Sequence, residues 1–201
     1  MNNEPPIRPE AGRATLSRRE LAQNLLTGLA AGILVPSLPS LHPIRALLQN
    51  GMLLDSSDEI LAMGNYRPVF LTAAQLASVD KMTEALVPGS RKAQSASFID
   101  LLLSVDSAKS QQAFVDSLST LETAAKHMFH KGIVALTNTQ LNKLLNSVTA
   151  KESSSREHFE NLKGWAVGAY YSSEIGMREL GWTPDRVFST FPVCTHAENH
   201  S

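Results

Sequence analysis

The chain has 201 residues, 43% of them hydrophobic and 18% charged, with a formal net charge of −1. That composition argues against a disordered chain and against one buried in lipid, and the balanced charge argues against a nucleic-acid surface, which needs a basic stripe to neutralise phosphates. The single cysteine, Cys194, leaves no internal disulfide, no CxxC redox pair and no Cys-rich zinc site.

Residues 1–46 read as a leader. A polar, proline-rich stretch ends at Ser17-Arg18-Arg19-Glu20-Leu21, and an uncharged apolar run from Leu25 to Val35 follows. The run is too short for a membrane span, which needs about 20 apolar residues, and suits a signal-peptide core. Arg18, Arg19 and Leu21 are the candidate export signal of a twin-arginine leader, a route that moves proteins already folded. Gln23 stands where such leaders often carry lysine. Ala46 is one end for the leader, and an uncleaved leader acting as an anchor is the other reading.

Residues 47–69 read as linker with short helical pieces, punctuated by Asp55-Ser56-Ser57-Asp58 and Gly64-Asn65. From Phe70 the pattern is helical and no segment alternates with strand period. Thr72-Ala73-Ala74-Gln75 predicts a capping box, followed by the stripe Leu76, Val79, Met82 and Leu86, with Pro88-Gly89 as the stop. A short, deeply buried helix is expected around residues 98–103. Asp106 or Ser107 can cap the next, whose face is Phe114, Leu118, Leu121, Ala125 and Met128, with Gly132 as its expected C-terminal cap.

Thr137-Asn138-Thr139-Gln140 predicts a second capping box, ahead of Leu141, Leu144, Leu145 and Val148. Ser154 with Glu157 is expected to cap a helix bearing Phe159, Leu162, Trp165, Ala166 and Tyr170. A last short helix is expected over 173–180, closed by Gly181, before an irregular tail. The fold class is therefore all-α: a compact bundle of five to six helices over 70–196 with an irregular C-terminal tail, 197–201 trailing from it.

Three groups of side chains invite chemistry. His127 and His130 share a helical face, His158 stands apart, and Cys194, His196 and His200 cluster in the tail. Zinc accepts such ligands, but positive charge at a helix end is the stronger explanation of the first pair, and no metal site is assigned. No CxxCH is present, so this chain holds no covalent c-type haem. Cys194 is either an intermolecular partner or a free thiol packed as a small hydrophobe. Tyr170-Tyr171-Ser172-Ser173-Glu174 is either a docking surface, where tyrosine is enriched, or an internal helix junction. No nucleophile or phosphate loop accompanies it, so no catalytic residue is assigned.

The order of these elements resembles the gluconate 2-dehydrogenase subunit 3 family. The matching residues are Phe70-Leu71-Thr72-Ala73, Ala85-Leu86-Val87-Pro88-Gly89, Phe98-Ile99-Asp100, Phe159-Glu160-Asn161-Leu162-Lys163, Gly168 to Gly176, and Phe191-Pro192-Val193-Cys194. The family usually has glycine where Val193 stands. The resemblance implies a non-catalytic small subunit with no cofactor of its own. Its partner would be a large FAD-binding dehydrogenase of the glucose–methanol–choline type acting on a sugar or alcohol, often completed by a multihaem cytochrome c. The small subunit would support folding and assembly of the flavoprotein and carry its export signal through the twin-arginine translocase. The complex would be periplasmic, held at the inner membrane through the complex or an uncleaved leader. Tyr170, Tyr171, Glu174 and Cys194 would then face the large subunit, the cysteine through an intersubunit disulfide. The competing reading is a self-standing exported helical protein that binds a metal or non-covalent haem, and a small independent enzyme ranks below it.

Overall fold

The computed structural model describes residues 57, 59–61 and 65–181. Arg18, Arg19, Leu21 and Cys194 lie outside the described residues, as do the leader and the tail from 182 onward. The described residues form helices joined by irregular turns and contain no strand.

Both Thr-x-x-Gln patterns close as capping boxes, in which the threonine oxygen accepts an N–H of the first turn and the glutamine carboxamide reaches back. They start α1 (Ala73–Leu86) and α4 (Asn138–Thr149). Ser107, not Asp106, caps α3 (Ala108–Phe129) by accepting the Ser110 N–H. Ser173 caps the short α6 (Glu174–Glu179) in the same way through the Gly176 N–H.

Two caps differ from expectation. His130, with φ 54°, takes the left-handed position that ends α3, while Gly132 sits at φ −71° ahead of a 3-10 turn over Ile133–Ala135. A Cβ at 132 would stand 3.0 Å from a carboxylate oxygen of Glu122, a tight contact that this side chain would have to yield to. The N-cap of α5 (Arg156–Tyr171) is Ser155, and it makes no side-chain cap; Ser154 and Glu157 do not form the expected pair.

The helix expected over 98–103 is longer, α2 (Ser95–Val105), and eight of its 11 residues are buried. Such burial on all sides places it in the middle of the bundle, packed between α1 and α5. The longest helix, α3, packs most extensively on α5. Phe114 and Trp165 meet there edge to face, with ring centroids 5.6 Å apart. Along α3 the expected face is buried from Phe114 to Ala125, but Met128 is 39% exposed. Part of the segment expected as linker joins the core: Leu61 is 2% exposed, and Ile60 and Tyr66 pack against the same cluster.

Candidate functional site

Two of the segments that carry the family resemblance, 85–89 and 168–176, lie apart in sequence and meet in space. α1 ends at Leu86, and the turn over 87–94 leads into α2. Gly89 sits at φ +94°, a conformation that suits glycine. The Glu84 carboxylate holds this turn: Oε1 accepts from the Gly89 N–H at 3.1 Å, and Oε2 from the Arg91 N–H at 2.8 Å and the Ser90 hydroxyl at 3.3 Å. The Arg91 N–H above all, then the Gly89 N–H, Ser90 hydroxyl and Arg91 charge, hold this carboxyl below its ordinary value against the opposing effect of burial. The Arg91 guanidinium in turn pairs with Asp80 at 2.8 Å.

Tyr170, at the C-terminal end of α5, reaches under this turn. Its hydroxyl oxygen lies 3.3 Å from where a Gly89 Cβ would be, and its ring meets Tyr171 edge to face at 5.1 Å. The side chain is 1% exposed, and its hydroxyl makes no hydrogen bond of normal length and angle. Burial, then the nearby Glu179 carboxylate, pushes the phenol up to about 12. α5 and α6 meet here at a corner too tight for a side chain at Gly176, whose Cβ would overlap the Tyr170 carbonyl. Tyr171 is half-buried, and Glu174 at the start of α6 pairs with Arg178 one turn on, at 2.6 Å. Tyr170, Tyr171 and Glu174 thus gather at one corner: Tyr170 points inward as its support, and Tyr171 and Glu174 reach the surface.

A third organising group, Asp100 on α2, was legible only as part of the Phe-Ile-Asp match. It is fully buried, and each of its oxygens accepts two hydrogen bonds. Oδ2 accepts from the Tyr66 hydroxyl at 2.5 Å and the Val69 N–H at 2.6 Å. Oδ1 accepts from the N–H groups of Phe70 at 3.1 Å and Leu71 at 2.6 Å. A carboxylate offers about four acceptor sites, and all are filled. The charge also lies beside the first turn of α1, where a helix N-terminus favours it. Burial, reinforced by the Asp100 carboxylate, holds the Tyr66 phenol well above the ordinary tyrosine value.

The described histidines, His127, His130 and His158, do not converge. His127 is exposed in a shallow groove of about 460 Å³ beside Thr123, Met128 and Ser155, His130 ends α3, and the His158 Nδ1 lies 3.2 Å from the Ser117 hydroxyl. Among the described residues no group of three histidine, cysteine, aspartate or glutamate side chains is placed to hold a metal ion. Nor is any described helix long and apolar enough to cross a membrane.

The family model for gluconate 2-dehydrogenase subunit 3 matches residues 73–185. The chain belongs to that family. The match starts at the first residue of α1 and runs past the end of α6, so it takes in Glu84, Gly89, Asp100 and the Tyr170–Gly176 corner. It stops short of the arginine pair, Tyr66 and Cys194. No curated protein and no solved structure matches the chain significantly. Membership makes this a subunit of the gluconate 2-dehydrogenase type and implies a dehydrogenase partner.

Proposed function

We propose that the chain is the non-catalytic small subunit of a periplasmic, FAD-dependent sugar or alcohol dehydrogenase, and that it supports folding, assembly and twin-arginine export of the large subunit. The observation that carries this reading is the family match across the whole helical domain, in a chain that also bears Arg18-Arg19 ahead of an apolar run. A small helical domain with no cofactor of its own has little need of folded export for itself. A flavoprotein that must take up FAD before crossing does need it. The large subunit would be of the glucose–methanol–choline type, and a multihaem cytochrome c would take its electrons at the inner membrane.

The α5–α6 corner is the proposed docking surface, with Tyr171 and Glu174 offering aromatic area and charge over the buried Tyr170. Cys194 is proposed to join the large subunit through a disulfide, an oxidation the periplasm supports. Replacing Arg18 and Arg19 with lysine tests the export role. Dehydrogenase activity should then remain in the cytoplasm, and normal periplasmic activity would overturn the reading. Non-reducing electrophoresis of the native complex tests the disulfide: a heavier covalent species is expected, and separate subunits with an alkylatable Cys194 would refute it.

A further inference from the structure

The lead-in to α1 is irregular, yet three consecutive backbone N–H groups in it are held by one side chain. Among the described residues, the hydrogen bonds that tie 66–71 to the rest of the fold all end on the Asp100 carboxylate. Three of the four donors are backbone N–H groups, so the attachment fixes the course of the chain itself and not merely its side chains. A second tether lies upstream. The Gln94 carboxamide donates to the Leu61 carbonyl at 2.9 Å, and the Leu61 side chain is buried in the core. Gln94 is the N-cap of α2, held at φ 54°, and Asp100 lies in the middle of α2. Both tethers therefore come from one helix.

That helix cannot hold anything until it is itself in place. Asp100 can accept buried N–H groups only where the packing of α1 and α5 around α2 shields it from water. In an open chain its oxygens are solvated and the N–H groups of 69–71 face solvent. We propose that α2 is a fold-dependent latch on the N-terminal lead-in: Asp100 and Gln94 seize the chain between Leu61 and Leu71 only when the bundle has closed. The course of the described chain ahead of α1 is then set by the folded bundle through these two side chains.

Amide hydrogen exchange on the full chain tests the latch, and does so without reference to export. Asp100→Asn keeps one acceptor oxygen but sets an NH₂ group against the donors of the other. Exchange at Val69, Phe70 and Leu71 should quicken by about tenfold or more, with α3 and α5 still protected. Tyr66→Phe removes one donor only and should give a smaller change at the same amides. Asp100→Asn with Gln94→Ala should extend the faster exchange to residues 59–61. The control is Leu144→Ala, a core truncation on α4, which does not pack substantially on α2. It should quicken exchange across the domain without singling out 69–71. If the aspartate and tyrosine variants also quicken exchange uniformly, there is no separable latch.

Discussion

The lead-in over 65–71 and the turn over 87–94 are both irregular, and each is organised by one carboxylate that collects backbone N–H groups. They differ in where that carboxylate comes from. Glu84 serves donors five to seven residues ahead of it and is only partly buried. Asp100 serves donors 29 to 34 residues behind it and is wholly buried. A local, wet carboxylate shapes a turn that water could also solvate. A remote, dry one holds together two parts of the chain, and nothing replaces it when it is lost.

Asp100→Ala should show the largest effect, because it leaves several buried donors without a partner. A loss of about 3–5 kcal/mol in urea unfolding is expected; a loss below about 1 kcal/mol would mean that water reaches the N–H groups and the contrast with Glu84 is false. Gly176→Ala comes next. It tests whether the 87–94 turn depends on the tyrosine beneath it, since the new methyl must push the Tyr170 backbone away. About 2–3 kcal/mol is expected, together with faster amide exchange at residues 89–91.

Glu84→Gln should cost at most about 1 kcal/mol at neutral pH, because solvent screens a partly exposed group. Its pH dependence sharpens the comparison. The folded protein holds the Glu84 carboxyl below its ordinary value, so the stabilisation is fully present above that ordinary value. It is lost as pH falls through the lower folded value. The stability difference between wild type and variant should therefore shrink in acid and stay constant from neutral pH upward. A difference that grows in acid would contradict the assignment.

Tyr170→Phe should have the smallest effect, within about 1 kcal/mol of zero, because its buried hydroxyl makes no hydrogen bond of normal length and angle and meets only a weakly placed Glu179 carboxylate. Assembly with the dehydrogenase partner should not change. Weaker assembly would show that the hydroxyl meets the partner after all.

What could be read from the sequence follows the same division. Thr72 with Gln75 and Thr137 with Gln140 act over three residues, and the pattern alone places α1 and α4. The apolar stripes of α3 and α5 are equally local and equally legible. Gly132 misled because glycine has two uses, left-handed backbone and free space. Here His130 supplies the first, and Gly132 only leaves room beside the Glu122 carboxylate. The role of Asp100 left no local mark, since its donors are mostly main-chain groups that every residue carries. Tyr170, Tyr171 and Glu174 were legible as a group, but their directions were not. Which tyrosine faces inward depends on the corner at Gly176 and on the turn arriving from α1.

Glu122 has a practical consequence for anyone labelling this protein. Between α3 and α4 the chain looks like an open surface loop, with Lys131 and Val134 exposed. One oxygen of Glu122 accepts from the Ser78 hydroxyl at 2.5 Å and the other from the Ile133 N–H at 3.1 Å, while the Lys81 ammonium donates to the Val134 and Leu136 carbonyls. α1 therefore grips that stretch from one side and α3 from the other. An epitope tag or fluorophore graft spliced in there would pry two helices apart, whereas the polar stretch around Lys151 and Glu152, whose side chains face solvent, offers a safer place for the graft.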